Sequence, residues 1–158
     1  RTASALVLLP NYPNLVVTRT MSKAFALAGA RVGYLAASAP VVQALQLVRL
    51  PYHLSALTQV TAQVAVRHVD ALLGTVAAVR AERDRLVAEL TARNIPVLPS
   101  QANFVWIADA DATQLAARLD HHGLTVRPFA GEGIRVSVGP RQANDRLLEV
   151  LAAGHPIG

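Results

Sequence analysis

Short apolar segments separated by turn residues characterise the first 40 positions of the chain. Residues 15–18 and 31–37 are rich in β-branched and small apolar side chains, which is typical of short buried strands. A turn at residues 11–14 precedes the first segment, and the mixed stretch 20–30, which ends near Gly29, separates the two. The pattern predicts two strands joined by a loop or a short helical turn.

The middle of the chain has helical periodicity. Residues 40–48 predict a helix with proline in its first turn, and residues 51–55 break the pattern. Ser55 is expected to cap a second helix. Gly74 is expected to interrupt the pattern, so that a third helix covers about residues 75–92. The helical spacing of this third segment is shown by Val76, Val79, Arg83, Leu86, Val87 and Leu90.

The last third of the chain changes to alternating short strands and helices. Strands are predicted at residues 95–98, 102–108, 124–127 and 134–138, and helices at residues 112–122 and 141–153. The order β-β-α-β-β-α predicts a small α+β unit. The whole chain is assigned to the α/β class, with domain boundaries at 1–70, a linking helix at 71–92, and a small domain at 93–158.

Composition narrows the classes of protein that fit this pattern. With 53% hydrophobic and 16% charged residues among 158, the chain is expected to fold around a core. It has no cysteine, which excludes disulfides and thiolate chemistry. The net charge of +5 leaves a nucleic-acid module as a distant alternative, because the arginines are scattered and aromatics reach only 4%. No apolar run predicts a membrane span, and the adjacent pair His121 and His122 does not support a metal site.

Lys23 is the candidate for chemistry, because it is the only lysine beside fourteen arginines. Thr20, Ser22 and Arg31 lie within eight residues of it and offer the hydroxyl and guanidinium donors that bind a phosphate group. A lysine used as a nucleophilic amine needs a partly buried, electropositive place. The alternative from the residues alone is an ordinary solvated lysine.

A family resemblance favours the first interpretation. The segment Ser-Lys-Ala-Phe-Ala-Leu-Ala-Gly-Ala-Arg-Val-Gly-Tyr, residues 22–34, resembles the active-site segment of the aspartate-aminotransferase-like enzymes of fold type I, which use pyridoxal 5′-phosphate (PLP). Residues 19–29 followed by Arg-Leu-Pro-Tyr-His-Leu-Ser at 49–55 resemble the histidinol-phosphate branch of that family. The resemblance implies the C-terminal part of such a transferase: a remnant of the large-domain sheet, long linking helices and a small α+β C-terminal domain.

The same resemblance implies roles for the residues around Lys23. Lys23 would form the Schiff base with PLP and move the proton between the substrate Cα and C4′ of the cofactor. Ser22 and Arg31 would bind the cofactor phosphate, with Thr20 beside them.

The substrate end is expected in the last third of the chain. An arginine inside an apolar strand, such as Arg135, needs an anionic partner, and the resemblance implies that this partner is the substrate carboxylate, with Arg127 as a second basic residue. An ion pair with Glu132, or a side chain reaching to solvent, is the alternative for Arg135. Tyr52 is a candidate for lining the substrate pocket, although a packing role fits it equally well.

The resemblance also implies that the chain is a fragment, because the family's N-terminal half supplies the ring-stacking aromatic residue and the aspartate that pairs with the pyridine nitrogen. The implied activity is transamination between histidinol phosphate and 2-oxoglutarate, with glutamate as product, in a cytoplasmic homodimer without nucleic-acid or membrane partners. An aromatic amino acid aminotransferase is the alternative enzyme. A non-catalytic fragment or partner-packing domain is the alternative outside enzymes.

Overall fold

The computed structural model describes residues 3–153 and divides the chain into two compact units, Arg1–Thr75 and Val76–Gly158. The first unit contains a 3-10 helix Ala5–Asn11, strands β1 Val16–Thr20 and β2 Gly33–Ala37, and helices α1 Ala39–Val48 and α2 Ala56–Arg67. Helix α3, Val69–Ala92, begins in the first unit and continues in the second. The second unit adds β3 Val97–Leu98, β4 Phe104–Ala108, α4 Ala112–His121, β5 Arg127–Phe129, β6 Gly133–Ser137 and α5 Arg141–Ala153.

Strands β1 and β2 of the first unit form an antiparallel hairpin, with Val16 opposite Ala37 and Thr20 opposite Gly33. Both predicted strands are confirmed, but β2 starts two residues later than expected, because Arg31 has a left-handed φ of 52° that cannot continue a strand. Gly33 is needed at the first position of β2, since a Cβ there would lie 2.5 Å from the carbonyl oxygen of Arg19.

Helices α1 and α2 begin where the sequence predicts. A proline lies in the first turn of α1, and the Ser55 hydroxyl accepts a hydrogen bond of 3.1 Å from the Thr58 amide at the start of α2. Neither helix buries a side chain, and Leu47 is 87% exposed and Leu57 77% exposed. The first unit therefore presents apolar helix faces to solvent.

Helix α3 corrects the prediction of a break at Gly74. The chain breaks at His68 instead, and the helix then runs without interruption through Gly74 to Ala92. A glycine inside a helix keeps its backbone hydrogen bonds and costs only about 1 kcal/mol relative to alanine, so neighbouring helical residues can outweigh it. The predicted end of the helix is confirmed, because Asn94 adopts a φ of 56° and the Ile95 amide bonds the Leu90 carbonyl.

The second unit has the predicted order β-β-α-β-β-α. Its four strands form an antiparallel sheet in the order β3-β4-β6-β5. Side chains from α3, α4 and α5 pack on one face of this sheet, around the buried strand residues Val105, Ile107, Ile134 and Val136. Because side chains alternate along a strand, the intervening residues of β4 and β6 point to the opposite face.

The third predicted strand of this unit is displaced. Residues 124–127 were expected to pair, but β5 covers Arg127–Phe129. Leu124 and Val126 pack against the core without being part of a strand, which explains their apolar character. Pro128 lies within β5, and β5 is an edge strand, where proline removes no hydrogen bond from the ladder.

Within residues 3–153 no single helix combines the length and hydropathy needed to cross a membrane. In the same residues, helices α2 and α3 reach the length and apolar composition of a membrane span only when they are counted together, and the chain bends at the break between them.

Candidate cofactor and substrate sites

Lys23 lies in the loop that joins β1 to β2. The hairpin pairing continues for one step beyond the strands, because the Met21 amide donates a hydrogen bond of 3.1 Å to the Val32 carbonyl. Met21 and Val32 are both buried, and the Leu27 amide closes the loop with a 3.1 Å bond to the Met21 carbonyl. The loop is therefore anchored at its base by two apolar side chains and by backbone bonds, and it carries Lys23 on a fixed support.

The four residues predicted to form the catalytic lysine and the phosphate donors lie at this one loop base. Ser22 and Arg31 directly follow and precede the hydrogen-bonded residues Met21 and Val32, so they stand at the two ends of the loop. The Thr20 hydroxyl accepts a 3.1 Å hydrogen bond from the Ser22 amide, so both hydroxyl-bearing residues belong to the same turn. Lys23 is the next residue and is exposed, so the partly buried place expected for it is not found in the part of the chain that the structure describes. An amine and three side chains able to bind an anion thus lie in or directly beside one loop, within residues 20–31.

Two residues of the loop, Ala26 and Arg31, have left-handed φ values of 54° and 52°. Such values are uncommon for residues other than glycine and mark segments held in place by their surroundings, often at functional sites. The Arg31 guanidinium donates one hydrogen bond, 3.1 Å long, to the Ala28 carbonyl. That bond orients the side chain and leaves its other N–H groups available to an anion.

The electrostatic field favours an anion at the same place. Residues 1–75 contain six Lys and Arg side chains against a single acidic residue, Asp70, whereas residues 76–158 contain nine of each sign. The entire net charge of +5 therefore belongs to the unit that carries Lys23. An excess of one charge around a site raises the local concentration of ligands of the opposite charge.

Arg127 and Arg135, the predicted substrate arginines, are direct neighbours on adjacent strands of the second unit. The β5–β6 register places Arg127 opposite Arg135. In the part of the chain that the structure describes, neither arginine is ion-paired with a carboxylate, so the expected alternative of an Arg135–Glu132 pair is not found. Like charges directly opposite each other destabilise a sheet. An anion bound beside these two side chains would weaken that repulsion.

Aromatic rings surround this arginine pair. The Arg135 guanidinium carbon lies 5.5 Å from the Phe104 ring centre, and that of Arg127 lies 5.4 Å from the Phe129 ring centre. Trp106, which is paired with Arg135 across β4 and β6, lies 5.1 Å from Phe129 between ring centres. Guanidinium groups at this distance from an aromatic face are held by cation–π attraction.

Sequence reasoning missed the aromatic part of this face. The signal was present as the alternation in β4, where Phe104 and Trp106 are separated by Val105, which is fully buried.

Tyr52 is not gathered with the other candidates: it lies in the loop between α1 and α2, and its side chain is 99% exposed. Its role in a substrate pocket remains a prediction.

The depressions in the surface of the second unit do not coincide with the arginine pair. One of about 330 Å³ lies between α4 and α5, and its lining contains the basic residues Arg118, His122 and Arg146 together with Glu149. The Arg146 side chain donates a 2.9 Å hydrogen bond to the His122 carbonyl. A basic side chain that caps the C-terminal end of a helix is stabilising on its own account, which accounts for Arg146. Among the described residues, Nε of Arg118 is buried without a hydrogen-bond partner, and the cap does not account for it.

The sequence of this chain is similar to those of known aminotransferases. The family described as aminotransferase class I and II matches residues 1–151. The chain is 54% identical over 150 residues to a histidinol-phosphate aminotransferase of Frankia casuarinae and 53% identical to one of Streptomyces avermitilis. Each alignment covers 94% of this chain but only 38% and 41% of the two relatives, so the chain spans about two fifths of their length.

A solved structure extends the likeness to the fold. The histidinol-phosphate aminotransferase of Sinorhizobium meliloti, determined in complex with pyridoxal-5′-phosphate, superposes with a TM-score of 0.78 at 31% identity. The superposition covers 89% of this chain and 41% of that protein. The likeness confirms the assignment to part of a fold-type I transferase. Since the family match covers nearly the whole sequence, this chain belongs to the class I and II aminotransferases.

Proposed function

We propose that the chain is the C-terminal part of a PLP-dependent aminotransferase that exchanges an amino group between histidinol phosphate and 2-oxoglutarate. The observation that supports the reaction class is the hairpin of β1 and β2, whose loop and adjoining strand end carry Lys23, Thr20, Ser22 and Arg31. The high identity to histidinol-phosphate aminotransferases supports histidinol phosphate as the substrate that donates the amino group. The division into a cofactor domain, residues 1–70, and a small domain, residues 93–158, belongs to the same proposal.

The donors in the loop fit the phosphate end of PLP. Thr20 and Ser22 supply hydroxyl groups, and Arg31 supplies a guanidinium that is already oriented by the Ala28 carbonyl. Bound PLP supplies an aldehyde that takes up amines and a conjugated ring that stabilises negative charge at the substrate's α-carbon. Lys23 would provide the primary amine that holds this aldehyde, and its Nζ, released when the substrate amine takes its place, would accept the proton from Cα.

The first unit does not contain every partner that the cofactor needs. Its single acidic residue, Asp70, lies in the first turn of α3, away from the Lys23 loop along the chain. The carboxylate for the pyridine nitrogen would therefore come from the part of the family that this chain does not span. For this reason we propose that the chain works as part of a longer enzyme, termed the full-length enzyme below.

The pair of Arg127 and Arg135 supports a phosphorylated substrate as the amino donor. A phosphate monoester carries close to two negative charges at neutral pH, which match the two positive charges of Arg127 and Arg135, paired residues on adjacent strands. The same pair accepts a carboxylate of 2-oxoglutarate through paired hydrogen bonds. One basic site would thus serve both half-reactions.

An aromatic amino acid aminotransferase is the second candidate. The rings of Phe104, Trp106 and Phe129 beside the arginine pair favour it, because they could pack against an aromatic substrate. Comparing kcat/KM for histidinol phosphate and phenylalanine separates the two candidates.

A cytoplasmic homodimer remains part of the proposal, and the mass of the full-length enzyme in solution tests the dimer.

The 158-residue chain alone is expected to bind PLP weakly and to show no turnover, because the ring-stacking residue and the pyridine-nitrogen acid would both be missing. Its exposed apolar helix faces should also make it self-associate. The test compares transamination by the chain alone with that of the full-length enzyme, using cofactor absorbance and light scattering. Turnover by a soluble monomer of the chain alone would contradict the proposal.

Replacing Arg31 by alanine in the full-length enzyme is expected to weaken PLP binding by about 1.5–3 kcal/mol, because one charge-assisted hydrogen bond to phosphate is lost. The KM for histidinol phosphate at saturating cofactor should change far less. Arg49→Ala is the control, since Arg49 is an exposed arginine of the same unit that follows α1. An unchanged dissociation constant for PLP would show that Arg31 does not face the phosphate.

A further inference from the structure

A buried polar side chain fixes the end of the strand that carries Arg135. Asn144, in the first turn of α5, is only 2% exposed. Its side-chain oxygen accepts a 3.1 Å bond from the Gly139 amide, and its Nδ2 donates a 2.8 Å bond to the Gly139 carbonyl. Gly139 lies two residues beyond the end of β6. The amide of Asn144 therefore holds both backbone groups of the residue at which the chain leaves the sheet.

Helix α3 holds Asn144 in turn. Nδ2 of Asn144 donates a second bond, 3.1 Å long, to Oε1 of Glu82. Glu82 is ion-paired with Arg85, which also contacts Asp145 at 2.6 Å. The hydrogen bond from Arg85 holds the pKa of Glu82 below its usual value, so the carboxylate is an acceptor at neutral pH. Asn144 is thus fixed on both sides, by a backbone turn and by an ion-paired helix residue.

The neighbouring residue of α3 fixes the strand that faces β6. Arg83 is 3% exposed, and its guanidinium donates a 3.4 Å bond to the Ala102 carbonyl, just before β4. The Val138 amide donates a 3.0 Å bond to the Asn103 carbonyl, which joins the start of β4 to the end of β6. Phe104, the first residue of β4, is the ring beside the Arg135 guanidinium. Adjacent residues of one helix therefore hold the two strand ends whose side chains form the arginine site.

We propose that Asn144, held by Glu82, is a positioning residue for Arg135, and that it sets the substrate affinity of the arginine site through the Gly139 turn. This inference rests on the proposed function, because it assumes that Arg135 binds the anionic end of the substrate. Asn144 does not touch the substrate. It acts by keeping the end of β6 in one place relative to β4 and α3, since small displacements of a binding group are costly.

The test uses Asn144→Asp in the full-length holoenzyme. Aspartate keeps the size and the acceptor for the Gly139 amide but removes both donated bonds, and it places a second carboxylate beside Glu82. We expect the KM for histidinol phosphate to rise about tenfold, with kcat within about twofold and the PLP dissociation constant unchanged. A lower melting temperature with an unchanged KM would overturn the inference, because it would show a purely structural role.

A second variant covers the case in which Asn144→Asp fails to fold. Glu82→Gln leaves Asn144 in place and removes only the charge that pairs with Arg85, and a rise in KM of about threefold is expected. Glu89→Gln is its matched control, because Glu89 lies on the same helix and is ion-paired with Arg93, the residue after the helix end. Among the described residues, neither side chain of this pair is bonded to a strand. Equal KM values for the Glu82 and Glu89 variants would overturn the inference.

A double-mutant cycle with Arg135→Lys separates this inference from the proposed function. If Asn144 acts through Arg135, Asn144→Asp should raise KM less than twofold when lysine already replaces Arg135. A full tenfold rise in that background would show that Asn144 acts by another route, and the inference would fail. If Arg135→Lys alone leaves the KM unchanged, it is the assignment of Arg135 to the substrate, and so the proposed function, that fails.

Discussion

Replacing Lys23 by alanine in the full-length enzyme is expected to abolish transamination. Loss of a positioned proton-transfer group alone costs about 10²–10⁴-fold in rate, and here the covalent amine is lost as well. The fold should be unaffected, because Lys23 is exposed, and surface substitutions usually change stability by no more than about 0.5 kcal/mol. Turnover with histidinol phosphate and the melting temperature measure the two effects.

Lys23→Arg is the control that separates charge from chemistry. It keeps a positive side chain in the loop but removes the primary amine, so it should be as inactive as Lys23→Ala. Borohydride reduction of the wild-type holoenzyme followed by peptide mapping should place the pyridoxyl group on Lys23. Recovery of that group on a different peptide would disprove the assignment.

The second large effect is expected for Arg135→Lys. A lysine keeps the charge but cannot form two parallel hydrogen bonds to a carboxylate or phosphate. The KM for both histidinol phosphate and 2-oxoglutarate should therefore rise, with a loss of about 2–5 kcal/mol in transition-state stabilisation. PLP should remain bound, because its proposed phosphate donors lie in the loop between β1 and β2.

Arg141→Lys is the matched control for this prediction. Arg141 lies in the same unit, its side chain is 70% exposed, and its contact with Asp145 is long at 3.8 Å. Its replacement should leave both half-reactions unchanged. Should Arg135→Lys behave like this control, the arginine would be structural. Should phenylalanine prove the better donor, the aromatic aminotransferase would replace the histidine-pathway assignment.

The sequence predicted most helices because their ends depend on local chemistry. Ser55 and Asn94 mark helix ends through their own side-chain and backbone preferences, and both predictions are confirmed. The prediction at Gly74 was wrong because the small local cost of glycine is outweighed by the rest of a 24-residue helix. The β5 prediction failed because Leu124 and Val126 are apolar through packing on the core rather than through strand pairing.

The candidate site residues also fall into two groups, those that the sequence predicts and those that only the fold brings together. Lys23 and its phosphate donors are close in sequence, so a short motif predicts them together. The pairing of Arg127 with Arg135 and the rings around them depends on the order β4-β6-β5, which residue patterns alone did not give. Asn144 and Glu82 are separated by 62 positions along the chain. Only the fold brings them together.

The left-handed residues of the Lys23 loop affect how stabilising variants should be selected. At Ala26, with its φ of 54°, a glycine would relieve roughly 1–2 kcal/mol of backbone strain. It would also add freedom to the unfolded chain, which costs roughly 0.5–1 kcal/mol. The relief of strain is the larger effect, so Ala26→Gly would look neutral to slightly stabilising in a thermal screen. The same change would loosen the segment that holds Lys23, and selection by heat resistance alone would overlook the resulting damage to turnover.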